Sequence, residues 1–250
     1  EVVNMKRAQG DRIFWLLAFF SSLSVIIMFT LLFYELLANS LPIWSQGINF
    51  IVGMVWDPLK GLFGAFPFIY GTLISATFAI LLSTFLGVGI AIFLSEIAPG
   101  GVRDVISSVI ELIAAIPSVI IGLWGIFVLA PFVRDNLQPL LRHLSFIPLF
   151  SGKTLSGLSM LTAILILTFM VTPIVAAIAR EALLMVPEDL KEALYSLGAT
   201  RYEVVRHVCI PYARQGIFGG VVLGYGRALG ETMAVTMVIG NTPSISASLL

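Results

Sequence analysis

Apolar residues along this chain gather into five long runs, roughly residues 14–38, 68–98, 105–133, 155–179 and 213–240, with shorter polar segments between them. A helix needs about 20 consecutive apolar residues to cross a bilayer core about 30 Å thick, and every run reaches that length. No low-complexity tract or clear internal repeat separates the runs. The expected fold is therefore all-α, a polytopic transmembrane helix bundle forming one domain over residues 1–250.

The longest polar connection, REALLMVPEDLKEALYSLGATRYEVVRHVCIP over residues 180–211, is too polar to be a span. It predicts two short helices over 187–211. Pro187 suits a first helical position, Glu188 and Asp189 suit the positive end of the helix dipole, and Leu190, Leu194 and Leu197 form an apolar stripe. Gly198 supplies a left-handed stop, Thr200 and Glu203 have the spacing of a capping box, and Pro211 ends the second helix. Such a bent amphipathic pair either lies on the lipid surface and covers its own bundle, or inserts into a groove on another protein.

Composition agrees with a lipid setting: 58% of residues are hydrophobic and 11% charged, against about 25% charged in an ordinary soluble domain. The formal net charge is zero, so the information lies in where the charges sit. With the N-terminus in the cytoplasm, nine basic residues fall inside: Lys6, Arg7, Arg12, Arg103, Arg180, Lys191, Arg201, Arg206 and Arg214. Four fall outside, namely Lys60, Arg134, Arg142 and Lys153, and this bias favours that orientation even though the loop 134–153 works against it. The first run is longer than a signal-peptide core and is expected to be retained as a span. A single cysteine, Cys209, excludes an intrachain disulfide and a cysteine-built metal site, and is expected to be an inert packing residue.

Arg227 and Glu231, in GYGRALGETMAV, lie deep in the last run. They stand one turn apart, about 6 Å along a helix axis. At such depth each charge costs roughly 2.5 to 3.5 kcal/mol, so both need partners. At i and i+4 they share a face and neutralise one another. Either the pair locks helices together, or its face lines a cavity where Arg227 offers a fork of donors to a passing anion and Glu231 holds it ready.

The stretch EALYSLGATRYEVVRHVCIP resembles the EAA loop of ABC importer permeases, in which Glu, Ala and a Gly follow at set spacing and a proline closes the second helix. Glu192, Ala193 and Gly198 hold the matching positions, with Leu194 where the family often has a second alanine. In that family the loop docks on the ATPase subunit, so the resemblance implies ATPase coupling through these three residues. WDPLKGLFGAFPFIYGTLISA from Trp56, AIPSVIIGLWGIFVLAP from Ala115, GRALGETMAVTMVIGN from Gly226 and GDRIF at Gly10 are similar to phosphate-specific importer permeases of the PstC type.

The resemblance implies a type I ABC importer permease fold in the cell inner membrane, surrounded by lipid, and ATP-driven phosphate import by alternating access. It also implies a second permease of the PstA type, a PstB-type ATPase dimer and an external PstS-type phosphate-binding protein as partners. In the family an intramembrane pair matching Arg227 and Glu231 is associated with the translocation pathway. Six spans are expected of it, which places a sixth beyond Leu250. A permease for another oxyanion, molybdate or sulfate, is the nearest alternative, because the external binding protein largely makes the substrate choice.

The resemblance also implies that ATP hydrolysis belongs to the partner, and this chain has no glycine-rich Walker loop to contradict it. A membrane-embedded enzyme would need clustered nucleophiles, bases or metal ligands. His143 and His207 fall in loops and Ser118 has no matching base, so no catalytic residue, metal or cofactor is expected, and no nucleic acid. Pro117, Gly122, Gly125 and Pro173 are expected to allow kinks or close helix approach. Glu35 is expected to snorkel, and Glu96, Arg103, Asp104 and Glu111 to serve as interface or structural charges.

Overall fold

The computed structural model describes residues 2–44, 46–143, 146, 149, 156–240, 245, 248 and 249. The start of the expected fourth span at Leu155, the outer-loop Lys153 and any span past Leu250 lie outside the described residues. Contacts divide the chain into two units, Glu1–Ala65 and Phe66–Leu250.

In the first unit, α1 (Val2–Trp44) is a single helix whose part from Gly10 to Trp44 is long and apolar enough to cross a membrane. Its large apolar side chains, among them Phe14, Trp15, Phe29 and Tyr34, are exposed. A short helix α2 (Ile48–Val52) follows, then a two-stranded hairpin in which β1 (Trp56–Asp57) pairs antiparallel with β2 (Leu62–Phe63). The hairpin turn is closed locally, because the Asp57 carboxylate accepts from the backbone N–H groups of Leu59 and Lys60 and Gly61 takes a left-handed φ of 68°.

In the second unit, α3 (Phe66–Ile92) runs on through a π-helical turn at Phe93–Ile97, and α4 (Gly100–Ala115) follows. One unbroken helical run then combines α5 (Ser118–Trp124), a π turn at Gly125–Leu129, α6 (Ala130–Phe132), a second π turn at Val133–Leu137 and α7 (Gln138–Arg142). α8 (Met160–Leu184) is the most buried of the long helices and has α3 and α11 (Ile210–Leu229) packed along it. Among the described residues, Gly10–Trp44, Phe66–Ile97, Ser118–Leu141 and Met160–Leu184 are the helices long and apolar enough to span a bilayer.

Small residues set how closely these helices meet. α3 buries Ser75, Ala79, Ser83, Gly87 and Ala91, four residues apart on one face, and α11 buries Gly220, Gly224 and Ala228 in the same manner. In lipid the gain from association comes from van der Waals packing, so backbones brought close by missing side chains matter more than apolar bulk does in water. Val171, Val175 and Ile80 fill the space that a side chain at position 224 would need, at 2.9 to 3.1 Å from an added Cβ. The Ser83 hydroxyl donates across the α3–α8 contact to the Thr168 carbonyl at 3.1 Å, a bond worth on average about 0.6 kcal/mol in a membrane interior.

Two of the expected spans are interrupted. The run 105–133 divides at Ile116 and Pro117, where extended backbone separates amphipathic α4 from α5, because the residue before a proline is pushed out of the helical region. The run 213–240 divides at 230–232, between α11 and the six-residue α12 (Met233–Val238). Gly122 and Gly125 act as close-approach positions: Ala234 and Met237 of α12 lie against the first, and Val238 and Ile166 against the second.

Each π turn among the described residues ends two positions before a proline: Pro99, Pro131, Pro139 and Pro211. A proline lacks an N–H, and its ring collides with the carbonyl four residues back. In these turns the residue before the proline donates instead to the carbonyl five back, as Ala130 does to Gly125 and Ile210 to Val205. The wider turn moves the obstructing carbonyl aside and keeps the ladder occupied.

Gly87 and Gly89, two residues apart on α3, separate packing from helix propensity. A Cβ at 87 would meet Val175 Cβ at 3.0 Å and the Ala176 backbone nitrogen at 3.1 Å, whereas nothing lies within 4 Å of one at 89. Gly87→Leu is expected to destabilise the bundle by about 1–3 kcal/mol and Gly89→Leu to leave it unchanged or firmer. Thermal unfolding of both variants in detergent checks this.

Candidate functional site

The polar connection folds as a helical hairpin built almost wholly from local hydrogen bonds. α9 (Glu188–Ser196) starts after Pro187, which sits one position earlier than expected, as the N-cap. Its end is a Schellman turn: Gly198 N–H donates to the Tyr195 carbonyl at 2.9 Å, Ala199 N–H donates to Leu194 at 3.2 Å, and Gly198 holds a φ of 85°. α10 (Arg201–Val204) opens with the expected capping box, Thr200 N–H donating to Glu203 Oε2 at 2.7 Å and Glu203 N–H to Thr200 Oγ1 at 3.4 Å. The Thr200 backbone N–H, with its hydroxyl second, holds the Glu203 carboxyl below its ordinary range. Pro211 does not end this helix, because the π turn at Val205–Cys209 absorbs it and α10 continues into α11.

Exposure separates the members of the α9 stripe. Leu190 and Leu197 are exposed, together with Glu192, Ala193 and Gly198, whereas Leu194 is partly buried. Tyr195, Tyr202 and Met185 are exposed beside them. Leu194, Leu197, Gly198, Ala199, Glu203 and His207 line an open hollow of about 360 Å³ between the two helices. The inward face of α9 carries Leu194 and, unexpectedly, Lys191, whose Nζ donates to Glu96 Oε1 at 2.9 Å and to Glu188 Oε1 at 3.1 Å. Burial lowers the Lys191 pKa, but hydrogen bonds and attraction from the two carboxylates outweigh it and the net shift is upward, so the lysine is charged across the physiological range. Sequence reading placed Glu96 among structural charges and gave Lys191 no partner. The one signal was a cation immediately before Glu192 in an otherwise amphipathic helix.

The second constellation lies at the break in the last apolar run. α11 ends at Leu229, the chain turns through Gly230, and Glu231 stands in the gap before α12. Gly230 N–H donates back to Gly226 at 3.0 Å, and Glu231 N–H to Ala228 at 3.4 Å. Glu231 Oε1 then accepts from Ala234 N–H at 3.2 Å and satisfies an open donor in the first turn of α12. Its other oxygen, Oε2, lies 3.6 Å from Arg227 Nη2, close enough for attraction and too far for a hydrogen bond. Glu231 is 5% exposed and Arg227 49%. The two residues are thus brought together as expected, across a helix break rather than along one helix. The carboxylate is fixed and buried; the guanidinium is open, with no hydrogen-bond partner among the described residues.

The family described as binding-protein-dependent transport system inner membrane component matches residues 87–249, which takes in both constellations. The chain is 48% identical over 208 residues to a phosphate transport system permease protein PstC of Mesorhizobium japonicum, covering 81% of this chain and 63% of the relative. A PstC of Xylella fastidiosa is 45% identical over 82% of this chain and 64% of the relative, and one of Haemophilus influenzae 41% identical over 92% and 75%. The chain therefore spans slightly under two thirds of the length of the first two relatives. Among solved structures, a chain of the MetNI methionine ABC transporter superposes with a TM-score of 0.55 at 21% identity, covering 70% of this chain and 74% of that one, a likeness of fold. With the match over 87–249 and these relatives, the chain belongs to the binding-protein-dependent transport system inner membrane components.

Proposed function

We propose that this chain is the transmembrane permease subunit of an ATP-driven phosphate importer, working beside a second permease of the PstA type, a PstB-type ATPase dimer and an external PstS-type phosphate-binding protein. The reading is carried by the half-exposed Arg227 beside the buried Glu231, in a chain similar over 81% of its length to a phosphate permease. A guanidinium presents paired donors that match two oxygens of a phosphate. Glu231 keeps its place through the Ala234 bond while Arg227 swings between carboxylate and anion. The tethered countercharge also weakens the hold on the anion, which must leave for transport to proceed.

No bond is made or broken by such a subunit. ATPase closure moves the helices over 187–211, with Glu192, Ala193 and Gly198 at the docking contact, and the two permeases switch the side to which their shared cavity opens. In this reading the N-terminus and the helical hairpin face the cytoplasm, and the connection 134–153, expected as a loop but helical over 134–142, faces outward, as the distribution of basic residues favours.

Three outcomes follow. The parent complex is expected to take up radiolabelled phosphate and not sulfate or molybdate, and the Arg227→Gln and Glu231→Gln complexes to assemble and to lose that uptake by about tenfold or more. The double variant is expected to be no better than Arg227→Gln, and its full recovery would reduce the pair to a structural one. Gly198→Val puts a β-branched residue at a φ of 85°, a cost of about 1–2 kcal/mol, and is expected to weaken co-purification with the ATPase while the bundle still inserts. Normal co-purification and transport would remove the docking role. A cysteine at Asn136, with Cys209 replaced by serine, is expected to react with a membrane-impermeant maleimide in intact cells. Reaction only after permeabilisation would reverse the orientation.

A further inference from the structure

The ion pair between α9 and the end of α3 joins elements 95 residues apart, and both side chains, Lys191 and Glu96, are 8% exposed. Glu96 sits in the π turn Phe93–Ile97. Arg103 anchors that turn from α4 by donating to the carbonyls of Ser95 at 3.1 Å and Ala98 at 3.5 Å. An apolar cluster occupies the same end of the unit: Ala91 from α3, Ala179 and Leu183 from α8, Val204 and Cys209 from the α10 segment, and Ala213 from α11, with Leu194 of α9 packed against it. Burial, with the Glu96 charge second, pushes the Cys209 thiol up to about 11, in keeping with a dry setting.

The peptide chain ties the hairpin to α8 through residues 185–187 and to α11 through the continuous helix at Val205–Cys209. α3 packs on both of those helices and has no such link. We infer that the Lys191–Glu96 pair supplies it: a buried strut that makes α9 and the neighbouring end of α3 move as one body. A displacement of the hairpin then enters the bundle at α3 as well as at α8 and α11. Separating the pair would leave the buried Glu96 charge unpaired among apolar side chains and Lys191 with only the exposed Glu188, so the bridge resists opening while the surrounding helices slide. Glu188, whose side chain is 74% exposed, is the rim partner and follows Lys191.

The inference rests on the transport reading for its purpose but not for its geometry, and the two are tested apart. With Lys191 and Glu96 kept, spin labels on Leu190→Cys and Ile97→Cys in a Cys209→Ser background are expected to hold one separation in the nucleotide-free and ATP-trapped complexes, and a separation that changes between the states would overturn the strut even if no phosphate uptake were found in any complex. For the transport test, Lys191→Cys and Glu96→Cys are combined in the same background in place of the labels, and the complete complex is left untreated or treated with a short bis-maleimide. In proteoliposomes, the untreated double-cysteine complex is expected to take up about tenfold less inorganic phosphate per ATP hydrolysed than the Cys209→Ser parent. Cross-linking is expected to restore that ratio to within about twofold of the parent. An unaltered ratio before cross-linking, or abolished uptake after it, would show that the link does not carry motion. Lys191→Met with Glu96→Leu, which removes both charges and keeps the volume, is expected to assemble and stay uncoupled, and a parental ratio there would also reject the strut.

Discussion

A peptide group in hydrocarbon has no water to bond, so every N–H and C=O inside the bilayer must find its partner within the protein. That constraint governs where this chain can bend. α3, α8 and α11 satisfy it by running as continuous helices, and small residues on their facing sides, such as Gly87 and Gly224, let those helices touch closely. Where the chain departs from a regular helix, a specific group takes up the orphaned bond. Ala130 and Ile210 reach five residues back ahead of prolines, and the Glu231 carboxylate accepts the Ala234 N–H at the gap before α12.

The same constraint explains why an ionised residue marks the break in the last apolar run. A helix interrupted at 230–232 leaves donors open at the start of α12, and a carboxylate answers them better than a neutral side chain. Once buried there, the carboxylate attracts a countercharge, and Arg227 at 3.6 Å is close enough to provide it without being pinned. Structural support and an exposed cation therefore come from one arrangement. The two ends differ: Glu231 supports α12, and Arg227 is half exposed.

Legibility in the sequence followed the range of the interactions. Gly198 at a left-handed position and the Thr200–Glu203 box were readable because each is settled within four residues. The long apolar runs were readable as helices, since length and composition suffice for that. Pro117 was readable as a place to kink but not as a helix boundary, and the break at Gly230 was not readable, because averaging over a run hides a decision taken by one or two residues. The stripe of Leu190, Leu194 and Leu197 was readable as an apolar face and its cover was not: spacing defines a face without saying whether this chain or another covers it. The Lys191–Glu96 bridge depends on how α9 folds back against α3, which no local pattern encodes. Arg227 and Glu231 were identified by depth alone, and depth did not distinguish a pair along a helix from a pair across its end.

The wide turn at Val205–Cys209 has a bearing on Arg227, some twenty residues away. A π turn holds one residue more than the α-helical repeat, and with 3.6 residues per turn that residue shifts the azimuth of everything after it by about 100°. The phase of α11 is thus set at its entrance. Removing one residue from the turn would carry Gly220 and Gly224 off α8 and rotate Arg227 away from its present direction, although no residue near either would have changed.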